Sequence, residues 1–237
     1  GEEMVALAEA NIPYEVYPGV TSASGASLYA GFAVTHRHLA EKCLIVTPTA
    51  KLQAFASEPI AQIAAGGTVV IYMGMERLAD LTQIILEQGA KADLPVAVIR
   101  WGTWGRQEKV VGDLSDIADK VADHGLTNPA LIILGPTAQY AAATSWFEEL
   151  PNFGQRQVYV TETALSFDEM LDFTDEGADF YPVLVGAAQD ERFTPLHQRL
   201  LPEYLADPQT QISYHGPAAE VLFQQLQASV MEANHEN

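Results

Sequence analysis

The sequence has little cysteine and no long apolar run. Its one cysteine, Cys43, allows neither a disulfide framework nor a zinc site. We expect it to be a small buried hydrophobe within a strand, in a cytoplasmic protein. No run of about 18 apolar residues occurs, so no transmembrane helix is predicted. The opening Gly1-Glu2-Glu3-Met4 lacks the basic region and apolar core of a signal peptide.

Basic residues are also scarce. There are 12 Lys and Arg against 31 Asp and Glu, which gives a net charge of −19. Nucleic-acid binding needs a basic surface, so nucleic acid is not an expected partner. Residues 1–150 carry 9 basic and 17 acidic side chains, whereas residues 151–237 carry 3 and 14. This shift and the turn-rich stretch 148–154 predict two domains, 1–150 and 151–237.

Familiar catalytic patterns are missing as well. There is no Walker loop, no Gly-x-Gly-x-x-Gly and no cluster of zinc ligands, so no metal is predicted. The densest basic spot is His36-Arg37-His38, which fits either a solvated helix start or an anion contact through the Arg37 guanidinium. The residues alone therefore predict a small-molecule cleft without naming a reaction.

Short apolar runs alternate with amphipathic stretches along the chain, which is typical of a layered α/β fold. The predicted strands are Ile12–Tyr17, Lys42–Thr47, Thr68–Met73, Leu94–Ile99, Ala130–Leu134, Gln157–Thr161, Tyr181–Val185 and Gln211–Tyr214. The predicted helices are Glu2–Ala10, Glu76–Gln88, Ser115–His124, Leu165–Phe173, Leu196–Leu205 and Pro217–Met231. Small residues in Val20–Ala30 predict a loop whose exposed backbone a ligand can approach. Met73 ends an apolar strand, a position that more often belongs to a core than to a ligand contact.

A set of spaced motifs in residues 1–150 is similar to the tetrapyrrole methylase family. Within it, the stretch from Tyr29 to Arg37 resembles the uroporphyrinogen-III C-methyltransferase branch. The motifs, in order, are Tyr14-Glu15-Val16-Tyr17-Pro18-Gly19-Val20-Thr21-Ser22-Ala23, Tyr29-Ala30-Gly31-Phe32-Ala33-Val34-Thr35-His36-Arg37, Val70-Ile71-Tyr72-Met73-Gly74, Gly102-Thr103 with Arg106-Gln107, and Pro129-Ala130-Leu131-Ile132-Ile133-Leu134-Gly135.

The resemblance implies an S-adenosylmethionine site whose contacts carry over to Thr21, Ser22, Met73, Gly102 and Ala130. Hydroxyls and amides at Thr21 and Ser22 suit a polar ligand. The Met73 thioether can pack on it, and Gly102 permits close approach of the backbone. The main chain at Ala130, which begins a buried strand, can meet the adenine edge.

The implied reaction methylates uroporphyrinogen III to precorrin-2 in siroheme or corrinoid biosynthesis. Family substrates are polycarboxylates, so a protein of this charge needs a local cation, and Arg37 is the candidate. The resemblance further implies a homodimer. It places the front lobe and its catalytic residues before Gly1, so that the chain is expected to be an inactive fragment that binds the donor weakly or not at all.

Residues 153–237 resemble the opening of a uroporphyrinogen-III synthase, through Phe153–Thr161 and more weakly through Ile212–Phe223. The expected fold is thus the C-terminal lobe of the tetrapyrrole methylase fold, a mixed sheet flanked by helices, followed by a partial α/β synthase-like segment. Two alternatives stay open. The chain could be a non-catalytic remnant that serves as a dimerisation or binding module, or a related methylase acting on another substrate.

Overall fold

The strands form two separate sheets in the computed structural model, which describes residues 1–143 and 145–235. The first sheet runs in the order β1-β2-β5-β3-β4 and is mixed, since β1 and β2 are parallel and all other pairs are antiparallel. Its strands are β1 (Cys43–Val46), β2 (Thr68–Ile71), β3 (Pro95–Arg100), β4 (Glu108–Asp113) and β5 (Ala130–Leu134).

Helices cover both faces of this sheet. The helices of residues 1–143 are α1 (Glu2–Glu9), α2 (Ser22–Tyr29), α3 (Leu52–Phe55), α4 (Ser57–Ala64), α5 (Leu78–Glu87) and α6 (Ile117–His124). On one face, Val69 and Ile71 pack against the four helices α3 to α6. On the opposite face, Val70 and Ile133 pack against α2, which is rich in small residues, and against the 3-10 segment Pro136–Ala142. Burying a side chain such as Ile133 stabilises the fold by roughly 1.5–3 kcal/mol.

The second sheet is parallel and has the order β7-β6-β8. Each strand is followed by a helix, as parallel neighbours require a crossover connection. Val158, Val160 and Leu201 are fully buried in its core. The elements are β6 (Arg156–Thr161), α7 (Phe167–Thr174), β7 (Asp179–Leu184), α8 (Thr194–Ala206), β8 (Gln211–His215) and α9 (Ala219–His235). We refer to residues 153–235 as the C-terminal unit.

Most predicted elements are confirmed within a few residues, but the strand at Ile12–Tyr17 is wrong. No described strand pairs with this segment, and Tyr17 is 80% exposed. A strand needs a neighbour to satisfy its backbone groups, so an apolar alternating stretch without one stays irregular. None of the helices in the described part of the chain is long and apolar enough to cross a bilayer.

Four elements were missed, namely α2, β4 and the two helices α3 and α4. The small-residue stretch predicted as a loop contains α2, whose Ala23, Ala26 and Ala30 pack closely on the sheet. Small side chains lower the hydrophobic signal of a helix but let its backbone approach a sheet. β4 is an edge strand with charged residues at both ends, and its mixed composition hid it.

Of the other expectations about single residues and short segments, some are confirmed and some are wrong. Cys43 lies in β1 and is half-buried, and burial raises the pKa of its thiol. No helix begins at His36-Arg37-His38, which instead forms an exposed turn closed by a bridge between His36 and Ala40. The stretch Glu148–Gly154 forms consecutive turns between the two sheets.

We predict that acid destabilises the C-terminal unit through His197. Its side chain is 6% exposed, its Nδ1 lies 2.7 Å from Tyr181 Oη, and burial lowers its pKa. The unfolded chain therefore binds a proton more readily than the folded chain as pH falls below about 6.5. The free energy of unfolding in urea should be lower at pH 5.5 than at pH 7.5, and His197→Gln should reduce this difference.

The exposed His124 provides the matched control, since His124→Gln removes a histidine without touching the core. An unchanged pH dependence in His197→Gln would contradict the assignment, because some other group would then carry it.

Candidate functional site

A hollow of about 390 Å³ lies at the edge of the first sheet where β2 and β3 end and β5 begins. Helix α2 closes one side through Ser22 and Ala26, and the segments after β2 and β3 supply Tyr72, Met73 and Trp101. Open α/β sheets bind ligands in such crevices at strand ends, where loops meet and backbone is accessible.

Four of the five residues predicted to contact a donor line this one hollow, namely Ser22, Met73, Gly102 and Ala130. The fifth, Thr21, adjoins Ser22, and its Oγ1 lies 2.6 Å from Tyr72 Oη. Arg37 is exposed and is not among the residues that line the hollow. The structure thus brings the five predicted contact residues together at one edge of the sheet but leaves the predicted cation, Arg37, outside.

The rim of the hollow carries strained backbone. Met73, Trp101 and Thr103 adopt positive φ angles of 53°, 48° and 77°, a region that costs residues other than glycine about 1–3 kcal/mol each. Met73 is 77% exposed, so the interpretation of this residue as core is wrong. Strain of this kind persists where surrounding structure enforces it, and it concentrates at ligand sites.

Gly102 has a structural reason to be glycine. A Cβ atom there would lie 2.3 Å from Ala26 Cβ and 2.7 Å from Ala26 Cα, so any side chain would push α2 away. Close packing between the loop after β3 and the helix therefore already requires this glycine. The presence of glycine at position 102 is therefore not by itself an indication of contact with a ligand.

Tyr72 is a site residue that the sequence analysis did not select. Its hydroxyl oxygen accepts a hydrogen bond from the Ala23 amide at 2.8 Å and contacts the Thr21 hydroxyl. Helix starts leave amides without partners, and Thr21, the N-cap of α2, makes no capping bond with its own side chain. Burial raises the pKa of Tyr72, but hydrogen bonds with Ser22, Thr21 and the Ala23 amide outweigh it, and the net pKa is lowered. Only its place beside Met73 could have indicated this role.

The loop after β3 is held in shape by contacts within itself, with α2 and with the end of β3. Gln107 is buried; its Oε1 accepts from the Thr103 amide at 3.1 Å, and its Nε2 donates to Tyr29 O at 3.2 Å. The Arg100 guanidinium lies 3.5 Å from the centre of the Trp101 ring. These contacts fix Trp101 and Gly102 at the mouth of the hollow.

The lining of the hollow is chemically sparse. Tyr72 is the only titratable side chain among its described lining residues, which include no carboxylate, lysine or histidine. No cluster of three or more potential metal ligands occurs in the described residues. The site can therefore bind and orient a largely apolar or nucleoside-like group, but it presents no strong acid or base.

Residues 1–118, just under half of the chain, match the model of the Tetrapyrrole (Corrin/Porphyrin) Methylases, so this part of the chain is similar to that family. That match includes the strand ends and the loop that form most of the hollow.

The curated proteins that are similar to this chain have more specific names than the family model. A uroporphyrinogen-III C-methyltransferase of Bacillus subtilis is 40% identical over 182 residues, which cover 76% of this chain and 37% of that protein. A siroheme synthase of Chromobacterium violaceum is 40% identical over 152 residues, or 64% and 32% of the two chains. This chain thus spans 37% and 32% of the length of these two curated relatives. A crystal structure of uroporphyrin-III C-methyl transferase from Thermus thermophilus with S-adenyl homocysteine is 28% identical, with a TM-score of 0.47 over 58% of this chain and 59% of that one.

We predict that Tyr72→Phe loosens the start of α2. The substitution removes the hydroxyl that caps the Ala23 amide and contacts Thr21, so the free energy of unfolding should fall by about 1 kcal/mol. Amide exchange at residues 21–24 should become faster. Both are measurable by urea unfolding and hydrogen exchange.

Tyr140→Phe is the control, because Tyr140 is a partly exposed tyrosine outside the hollow. Equal exchange at residues 21–24 in the wild type and in Tyr72→Phe would show that the hydroxyl does not cap the helix.

Proposed function

We propose that the hollow binds S-adenosylmethionine for C-methylation of uroporphyrinogen III to precorrin-2 in siroheme or corrinoid biosynthesis. The observation that carries this proposal is the meeting of Ser22, Met73, Gly102 and Ala130 at one hollow, the first three of them inside the region that matches the methylase family. The names of the relatives, which include uroporphyrinogen-III C-methyltransferase and siroheme synthase, support the substrate.

Three of the predicted contact residues, Thr21, Ser22 and Met73, have proposed roles in holding the donor. The Ser22 hydroxyl, and Thr21 held by Tyr72, offer hydrogen bonds at the start of α2, where free amides favour polar groups. The exposed Met73 side chain can cover an apolar surface of the ligand. The donor supplies an activated methyl group on sulfur, and these residues orient it toward a nucleophilic pyrrole carbon.

Proton removal is the step for which this hollow is poorly equipped. Methylation of a ring carbon releases a proton, and the described lining holds Tyr72 as its only titratable side chain. We therefore propose that the group that accepts the proton lies outside these lining residues, and that the 237-residue chain by itself does not turn over.

The substrate contact is proposed at Arg37. The Arg37 side chain is exposed and stands outside the hollow, where a carboxylate of the substrate rather than the donor would meet it. A guanidinium binds a carboxylate through two parallel hydrogen bonds, and it would locally offset the acidic charge of the protein.

We extend the proposal to the remaining features of the chain. Two separate sheets support domains at 1–150 and 151–237, and the parallel β-α arrangement of the C-terminal unit supports a partial synthase-like fold. Exposed apolar side chains in residues 4–28 support contact with another polypeptide surface, as in a homodimer. A cytoplasmic location fits the one unpaired cysteine, Cys43.

Donor binding is testable through the methionine methyl groups. We expect that S-adenosylhomocysteine, added to protein carrying ¹³C-labelled methionine methyls, shifts the NMR signal of Met73 and leaves that of Met4 in place. Both side chains are exposed, but only Met73 lines the hollow, so Met4 is an internal control. Met73→Ala assigns the signal.

A Met73 signal that stays fixed at millimolar ligand would contradict the donor site. It would then favour the alternative of a non-catalytic binding module.

The proposal that this chain by itself does not turn over is testable by product mass. With donor and uroporphyrinogen III, we expect the Bacillus subtilis relative to give product with two added methyl groups and this chain to give none. Mass spectrometry of the extracted tetrapyrrole measures both. Methylated product from this chain would overturn the proposal that the 237-residue chain by itself does not turn over.

A further inference from the structure

The loop after β3, residues 101–107, touches the C-terminal unit through its backbone. A Cβ atom on Gly105 would lie 2.3 Å from both Asp179 N and Gly177 O. From the other side, the Gly154 amide donates a hydrogen bond to Gly105 O at 2.7 Å. The two backbones are thus in direct contact, and no side chain fits between them.

Arg106, the next residue, reaches into the C-terminal unit. Its side chain is 8% exposed; Nε lies 3.3 Å from Asp179 Oδ2, and Nη1 lies 3.5 Å from Glu203 Oε2. Nε is not aligned for a hydrogen bond with its neighbours, so the Asp179 contact is mainly Coulombic. Because the pair is removed from water, this attraction is screened little.

The partner carboxylate is itself firmly held. Asp179 is 3% exposed, its Oδ1 accepts a hydrogen bond from Tyr204 Oη at 2.6 Å, and Arg156 lies 3.6 Å from its Oδ2. Burial raises the pKa of Asp179, while Tyr204, Arg106 and Arg156 act against the rise. Because close-packed side chains move little, a carboxylate held in this way fixes the position of the groups that contact it.

The same guanidinium contacts the wall of the hollow. Arg106 Cζ lies 4.2 Å from the ring centre of Trp101 and 4.9 Å from that of Trp104, and both tryptophans line the hollow. Trp101 and Thr103 keep positive φ angles, a strained conformation that needs external restraint. Gln107 restrains the loop through Tyr29 of α2, and Gly105 and Arg106 tie it to the C-terminal unit.

We propose that the C-terminal unit positions the loop 101–107, with Asp179 and Arg106 as positioning residues for ligand binding at the hollow. The unit holds Trp101 and Trp104 in the geometry that shapes the wall, so that the ligand does not have to order them. The ligand named here rests on the proposed function, whereas the restraint on the loop does not.

The restraint is tested by hydrogen exchange in the full chain. Asp179→Asn keeps the size of the side chain and its acceptor for Tyr204 but removes the charge that faces Arg106. We expect amides of residues 101–107 to exchange about tenfold faster, with β2 and β5 unchanged. Glu191→Gln, which removes an exposed carboxylate from the same unit, should leave the loop as in the wild type.

Glu203→Gln keeps the proposal testable if Asp179→Asn does not fold. Glu203 is the half-exposed second partner of Arg106, so this variant should fold and should speed exchange in the loop by a smaller factor. Unchanged loop exchange in a folded Asp179→Asn protein, or in Glu203→Gln if the former does not fold, overturns the proposal.

Ligand affinity separates positioning from simple stability. We expect Asp179→Asn to weaken the S-adenosylhomocysteine titration followed at Met73 by about tenfold, and Glu191→Gln to leave it unchanged. Faster loop exchange with unchanged affinity would overturn the positioning role. If the wild type does not bind S-adenosylhomocysteine, the proposed function fails, and hydrogen exchange still decides whether the unit restrains the loop.

Discussion

The hollow depends on the close approach of α2 to the loop that follows β3. Gly102 meets Ala26 at a distance that excludes any side chain, and Tyr72 holds the start of the same helix through Thr21 and Ala23. Small residues make this contact possible, because they bring two backbones together without a cavity. If α2 moved outward, Ser22 and Gly102 would no longer face one another across a common space.

Four of the chain's few cations lie in ion pairs that are largely buried. Arg100 pairs with Glu108, Lys109 with Glu148, and Arg156 with Asp207. Arg106 is shared between carboxylates of the C-terminal unit and the tryptophans of the hollow. A buried pair contributes little net stability, but it fixes geometry, since removing one partner leaves an unpaired charge. In this chain the fixed geometry is that of the loop beside the hollow.

The contact between the two sheets therefore matters for the site as well as for the fold. Gly105 and Gly154 bring backbone against backbone, and the loop between β3 and β4 lies between the hollow and the C-terminal unit. The acidic character of that unit, with only three basic side chains in residues 151–237, suits a region that receives an arginine from its neighbour.

The sequence by itself determined the α/β class, the position of most strands and helices, and the five residues predicted to contact a donor. Apolar runs such as Thr68–Ile71 mark strands buried on both faces, and the motif order places Thr21, Ser22, Met73, Gly102 and Ala130 in one family pattern. Local periodicity carries the class and the elements because it depends on residues close in the chain, whereas the five contact residues come from the resemblance to a family.

Only the tertiary structure decided the rest. It left Ile12–Tyr17 without a partner strand, turned the small-residue stretch after Val20 into α2, and exposed Met73 on a strained backbone. It also selected Tyr72 and Arg106, whose contacts lie 49 and 73 residues away along the chain. Such contacts depend on which surfaces meet after folding, and no local pattern in the sequence encodes that meeting.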